Sequence, residues 1–280
     1  MTFTTLVSGI DFGEGPRWRD GRLWYSDFYQ RQVRSVDMAG NQRVELEIDD
    51  QPSGLGWLPD GRLLVVAMRS QRVLRVEPDG SVVTHADLSG LVDNLCNDMV
   101  IDGDGHAWVG NFGFDLVAGG PFATTRLVHV TPDGATTMVG DELAFPNGAV
   151  ITPNGATLIV GETFGSQYRA FTIDGDKSLT HGRVWARVEG SFPDGCALDA
   201  DGGIWFADAA GGRCVRVEEG GAVTHELATP QPVYACMLGG PDGRTLFALT
   251  AVDSHPDKAA GTATGTIEIT TVGSPHAGLP

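Results

Sequence analysis

The sequence is short of positive charge. Its 280 residues carry 19 Lys and Arg against 36 Asp and Glu, a formal net charge of −17. A chain this acidic is an unsuitable partner for nucleic acid or an anionic membrane, and the acidity is spread along the chain rather than held in a tail. Cysteine is also scarce. Cys96, Cys196, Cys214 and Cys236 lie far apart with no C-x-x-C, so their spacing makes no zinc site and they read as small buried thiols. No apolar run reaches membrane-spanning length. The start, MTFTTLVSGIDFGEG, lacks a basic n-region and a long apolar h-region, so no secretory signal is expected and the cytoplasm is the expected compartment. No segment keeps a 3.6-residue apolar period over three turns, which argues against a helical fold. There is no G-x-S-x-G elbow, which argues against serine hydrolysis.

Glycine, by contrast, is abundant, with 39 residues, and it is placed periodically. Six stretches share one pattern of a polar or small head, a short apolar run, a turn ending in Gly and a second apolar run. They are EGPRWRDGRLWYSD, SGLGWLPDGRLLVVAM, NDMVIDGDGHAWVGN, PNGAVITPNGATLIVGE, PDGCALDADGGIWFAD and YACMLGGPDGRTLFALT. The turn glycines are Gly21, Gly61, Gly105, Gly155, Gly202 and Gly243, so the period runs from 40 to 50 residues. Such a period signals a repeat architecture. Each repeat reads as four short strands, as in Leu55–Leu58, Leu63–Ala67, Arg72–Glu77 and Val82–His85 of the second.

The sixth repeat has only three clear strands, at 234–238, 245–249 and 266–271. Residues 2–9, TFTTLVSG, form a spare strand with no partner nearby in sequence. Adding that strand to the sixth repeat closes a ring and removes exposed sheet edges. The expected fold is therefore all-β, a six-bladed β-propeller forming one domain over residues 1–280, with its last blade closed by the N-terminal strand. A β-sandwich would not predict six copies at one period.

Asn97, Asn147 and Asp194 each lie eight residues before their turn glycine, and Glu14 lies seven before its own. Equal register gives these four heads equivalent places in four blades, at the start of the strand that lines the axis. Singly, Asn147 before Gly148 and Asp194 before Gly195 look like turn residues. Together they bring carboxylate and amide oxygens onto one axis, which is costly without a cation. All-oxygen ligation suits Ca²⁺ or Mg²⁺, and Mn²⁺ is compatible. The second strands end on the same face, at Asp27, Met68, Asn111, Glu162, Asp208 and Thr250. Two long insertions, 111–124 and 251–265, begin there and are expected to shape the site. Arg17, Arg69 and Arg126 receive no role.

The chain resembles the senescence-marker-protein-30, gluconolactonase and luciferin-regenerating-enzyme family. The carrying motifs are Glu14-Gly15-Pro16, Asn97-Asp98, Pro146-Asn147-Gly148 and Pro193-Asp194-Gly195, in order around six repeats. The resemblance implies a divalent metal on Glu14, Asn147 and Asp194, with Asn97 beside it in contact with substrate. It implies lactone hydrolysis, with Asp194 and Asn97 as the catalytic pair. Ca²⁺ is the expected ion, and Mg²⁺, Mn²⁺ or Zn²⁺ are the other candidates. Where sugar-lactone members usually carry arginine, this sequence has Leu95. With Phe112, Phe114, Phe145, Phe164 and Phe192 near the mouth, it points to a lactone or ester less polar than a sugar lactone. Competing functions are another metal-dependent hydrolysis or hydration on the same scaffold, such as phosphotriester cleavage, and a non-catalytic binding propeller. Glu14, Asp208 and a metal-bound hydroxide acting without a side chain are the alternative bases.

Overall fold

The computed structural model describes residues 2–280. The chain opens with strand β1 (Thr4–Ile10) and then makes the blades in order. Blade one is β2 (Gly13–Arg19), β3 (Arg22–Asp27), β4 (Gln32–Asp37) and β5 (Gln42–Glu47). Blade two is β6 (Pro52–Trp57), β7 (Leu63–Ala67), β8 (Arg72–Val76) and β9 (Val82–Asp87). Blade three is β10 (Cys96–Ile101), β11 (Ala107–Asn111), β12 (Thr125–Val130) and β13 (Thr136–Leu143). Blade four is β14 (Pro146–Ile151), β15 (Thr157–Glu162), β16 (Gln167–Ile173) and β17 (Leu179–Arg187). Blade five is β18 (Pro193–Leu198), β19 (Ile204–Asp208), β20 (Arg213–Val217) and β21 (Val223–Ala228). Blade six is β22 (Val233–Gly239), β23 (Thr245–Thr250) and β24 (Gly265–Thr271).

Each blade is a four-stranded antiparallel sheet, and the sixth has the order β1-β24-β23-β22. The spare N-terminal strand therefore closes the ring as its sequence position implied, with Thr4 opposite Ile269 and Ile10 opposite Gly265. The first strand of each blade lies inside. Strands β10, β14 and β18 are buried at every residue, whereas the outer strands β5 and β21 are mostly exposed. Burial thus falls from axis to rim, as expected when inner strands have neighbours on every side. The six turn glycines all take left-handed φ between 69° and 90°, a conformation that costs other residues steric energy. Asp or Asn side chains brace several of these turns. Asp199 Oδ1, for example, accepts from the Asp201 and Gly203 N–H groups at 3.1 and 2.9 Å.

Helix is confined to one turn, α1 (Pro256–Ala259), in the second insertion and a 3₁₀ turn at Thr163–Gly165. No helix of the described residues is long and apolar enough to cross a membrane. All four cysteines are buried free thiols.

Closure by β1 has an energetic consequence. Ile10 is buried in the core that blade six shares with blades one and five. Ile10→Val should cost ~0.5–1.5 kcal/mol, read as a lower urea midpoint at unchanged slope. An unaltered midpoint would mean that β1 is not part of the cooperative unit.

Candidate active site

The four predicted heads occupy equivalent positions, and the structure adds two more. The residue before each head pairs with the end of the second strand: Gly13 with Asp27, Pro52 with Ala67, Cys96 with Asn111, Pro146 with Glu162, Pro193 with Asp208 and Val233 with Thr250. The six heads are therefore Glu14, Ser53, Asn97, Asn147, Asp194 and Tyr234. Directly after the head each inner strand slips register against its neighbour. A bulge bends the strand and re-aims the side chain beside it. Ser53 and Tyr234 escaped the sequence reading, although Ser53 lies eight residues before Gly61 and Tyr234 nine before Gly243.

The residue after the head explains the motif glycines. A Cβ on Gly54 would lie 2.4 Å from Met99 N, one on Gly148 2.5 Å from Asp194 O, and one on Gly195 2.7 Å from Ala235 Cβ. Neighbouring inner strands can approach this closely only without side chains there, and that approach gathers the heads. Gly148→Ala should overpack the axis by ~1–3 kcal/mol and push blades four and five apart. Both a lower thermal midpoint and weaker cation binding are expected; unchanged values for both would refute the close-approach explanation.

Blades three and six break the glycine pattern, with Asp98 and Ala235 after their heads. The Asp98 carboxylate accepts from Arg17 Nη2 at 2.6 Å in an ion pair buried on both sides. Arg17, unassigned in the sequence, is thus a buried bridge between blades and not a surface residue.

Glu14, Asn97, Asn147 and Asp194 are all buried, and all line the floor of a cavity of about 750 Å³ on the axis. Burial, and then the neighbouring carboxylates of Asp194 and Asp98, hold the Glu14 carboxyl well above the ordinary carboxylate range. Burial also raises Asp194; the Gly195 N–H and the Asn147 amide offset part of this, and Asp98 adds to it. Two acids that resist ionisation side by side are what a cation would relieve.

The amides are oriented for that role. Thr163 Oγ1 donates to the Pro193 carbonyl at 2.7 Å, so its lone pair receives Asn147 Nδ2 at 3.2 Å. Asn97 Nδ2 donates to the Pro146 carbonyl at 3.3 Å. Both amides thereby keep Oδ1 available. The Ser53 hydroxyl is buried with no hydrogen-bond partner among the described residues. Two carboxylates and two amide oxygens on one floor fit a hard cation. Among the described residues no three His, Cys, Asp or Glu side chains cluster as a metal site; any centre here relies on amide oxygens.

The polar residues that end the second strands hold loops instead of facing the cavity. Asp27 accepts from the Asp11 and Phe12 N–H groups, and burial pushes its carboxyl up to about 6. Glu162 accepts from the Ala144 N–H at 2.7 Å. Asp208 accepts from the Phe192 N–H at 2.9 Å and from Arg213 Nε at 3.0 Å, which leaves it no access to a substrate as a base.

Above the ring of heads sits a second layer. The residues two before each head, Phe12, Gln51, Leu95, Phe145, Phe192 and Pro232, stand just ahead of the inner strands, and all but Pro232 line the cavity as a collar over the heads. Each collar carbonyl accepts a backbone N–H at 2.9–3.1 Å from the residue after the second strand of its blade. The collar is therefore pinned and largely apolar. Both insertions reach the cavity, through Asp115–Ala118 and Ser254–Pro256.

Residues 12–252 match the family model described as the SMP-30/Gluconolactonase/LRE-like region. The chain belongs to this family. Among curated proteins it is similar to the 6-deoxy-6-sulfogluconolactonase of Pseudomonas putida, 25% identical over 246 residues, covering 84% of this chain and 81% of that protein. Among solved structures it superposes on luciferin-regenerating enzyme with a TM-score of 0.82 at 20% identity, covering 98% and 96% of the two chains. It superposes on the calcium-binding protein regucalcin of Agrobacterium tumefaciens with a TM-score of 0.80 at 22% identity, covering 99% and 96%. This member of the SMP-30/gluconolactonase/LRE-like family carries Glu14, Asn147 and Asp194 on one cavity floor, with Leu95 lining the same cavity two residues before Asn97.

Proposed function

We propose that this protein is a divalent-cation-dependent lactonase that opens a small lactone or related ester with water. The observation that carries this reading is the cavity floor, where two buried acids held above their ordinary range meet two amide oxygens on one axis. Glu14, Asn147 and Asp194 would hold the cation, with Ca²⁺ favoured by the all-oxygen set. Such a cation, when bound, polarises an ester carbonyl and acidifies water. Asp194 has a carboxylate oxygen to take the proton of the attacking water, and it returns that proton to the departing ring oxygen. Asn97 fixes the substrate through the amide groups that Pro146 does not occupy. Phe12, Phe145, Phe192 and Leu95 exclude water above the floor and leave substrate hydroxyls without partners, which favours a substrate less polar than a sugar lactone.

A panel of lactones and aryl esters, assayed after exhaustive dialysis and again with Ca²⁺, Mg²⁺ or Mn²⁺ restored, tests the reading. Turnover that vanishes on dialysis and returns with cation is expected. A chain that retains no cation and turns over nothing is a binding propeller instead. Calorimetric titration tests the ligands. Glu14→Ala, Asn147→Ala and Asp194→Ala should each weaken cation binding, and unchanged affinity in all three would remove the proposed centre. The pH dependence has a definite sign. The raised carboxyls hold protons that a cation must expel, so affinity should rise with pH through their range and proton release should accompany binding.

A further inference from the structure

The cavity is asymmetric. One side of its mouth carries a continuous strip of phenylalanine that starts at the collar and runs out to the surface. Phe145 and Phe112 lie deepest, 5% and 9% exposed, with ring centroids 4.5 Å apart. Phe164 packs on Phe145 at 5.1 Å, and Phe122 on Phe164 at 6.2 Å. Phe114 fills the angle between them, 5.8 Å from Phe164 and 5.5 Å from Phe122. Exposure climbs along the strip to 41% at Phe164 and 55% at Phe122. Leu116 and Val117, also exposed, line the cavity from the same insertion.

Isolated exposed apolar residues need no explanation, but a contiguous patch beside a cavity does. The three phenylalanines exposed by more than a third, Phe122, Phe164 and Phe192, all stand on this side. Phe145 and Phe192 stand two residues before Asn147 and Asp194 and line the same cavity, so the strip begins beside the oxygen floor. It is also built from parts that the ring does not require. Phe114, Leu116, Val117 and Phe122 belong to the 111–124 insertion, which lengthens blade three alone.

We infer that this strip is the subsite for an elongated apolar substituent of the substrate. The lactone ring sits on the oxygen floor, and the substituent extends outward along Phe164 towards Phe122. The assignment of the ring rests on the proposed hydrolysis; the assignment of the substituent rests on the strip. The substrate class is then a lactone with an alkyl or similarly extended apolar side chain, larger than a sugar lactone in reach and poorer in hydroxyls. Polyhydroxylated substituents would meet aromatic faces with no donor or acceptor.

The test separates the two assignments. γ-Lactams, which resist hydrolysis, are titrated calorimetrically into the whole protein with Ca²⁺ present, bearing no substituent, a butyl chain or an octyl chain. Affinity should climb by ~2–4-fold per methylene, the lower end applying to the exposed outer part of the strip. Phe122→Ser and Phe164→Ser should flatten that climb. Val44→Ser, which removes an equally exposed apolar side chain from the outer strand of blade one, should leave it intact. Turnover of the matching γ-lactones is measured alongside. Affinity that is independent of chain length, or a climb that survives both phenylalanine substitutions, overturns the subsite even if lactones are hydrolysed. A chain-length climb lost in both variants, with no lactone hydrolysed, upholds the subsite and removes the hydrolytic reading.

Discussion

Asp194→Asn should fold, bind Ca²⁺ at raised concentration, and lose ~10²–10⁴-fold in kcat at saturating cation, the usual contribution of a general base. The substitution keeps one ligating oxygen and the shape of the side chain. It removes the basic oxygen of this side chain. Burial raises the Asp194 carboxyl, so proton affinity is already high at this position, and a cation alongside tunes it down to a working range. Asn97→Ala should behave differently. Asn97 has no charge to lose, and its amide is anchored on the Pro146 carbonyl, so the variant should keep more cation affinity than Asp194→Ala and raise KM. Titrating each variant first and assaying it at cation saturation separates binding from chemistry. Near-wild-type kcat for Asp194→Asn under those conditions would rule Asp194 out as base. Glu14 would then be the remaining carboxylate on the cavity floor, because Asp208 is committed to Arg213 and the Phe192 N–H.

What the sequence makes legible is whatever the repeat imposes. The period locates six turn glycines, and all six take the left-handed conformation a tight hairpin turn needs. It locates four heads, because an acid or amide recurs seven or eight residues before the turn glycine. It leaves one strand over at the N-terminus, and β1 completes blade six. The same logic hides whatever departs from the consensus. Ser53 is small and Tyr234 aromatic, so neither looks like its counterparts, although both hold the same place. Thr163 orients Asn147 only because the Pro193 carbonyl of the next blade takes its proton. A polar residue at a strand end can face the axis or turn back to a loop, and alternation alone does not decide. Asp27, Glu162 and Asp208 turn back because the loop ahead of the inner strand offers N–H groups with no other acceptor.

The collar and the floor divide the work between sequence-neutral and sequence-specific features. Backbone hydrogen bonds hold all six collar carbonyls, so the layer's position is independent of its side chains. A change of side chain at Leu95 can therefore alter what the cavity accepts without moving the oxygens beneath. On the proposed reading, substrate range and hydrolytic chemistry would sit in adjacent layers and vary separately.

Arg17→Met should be the most destabilising single substitution near the axis, at ~3–5 kcal/mol. Arg17 lies on blade one, but its guanidinium serves blades two and three. Nε donates to the Leu55 carbonyl at 3.0 Å, and Nη2 donates to Asp98 Oδ1 and the Met99 carbonyl, both at 2.6 Å. Nη1 holds the Pro16 carbonyl at 2.8 Å. Its partners on the other two blades lie 38 to 82 residues away, which is why no local pattern announces it. Methionine fills much of the volume but leaves the Asp98 carboxylate buried and uncompensated. It also removes a cation whose field lowers Glu14 while Asp98 raises it, so Glu14 should become still harder to ionise and cation affinity should fall with stability. The cost arises from the stranded charge more than from the lost contacts, since an intact buried ion pair contributes little net stability. Arg17→Met combined with Asp98→Asn should therefore be more stable than Arg17→Met alone, and the coupling in that double-mutant cycle measures the stranded charge. Urea midpoints for the four proteins decide it. A single variant within ~0.5 kcal/mol of the wild type, the range of an ordinary surface substitution, would show that the three blades are held at the axis by packing and not by this guanidinium.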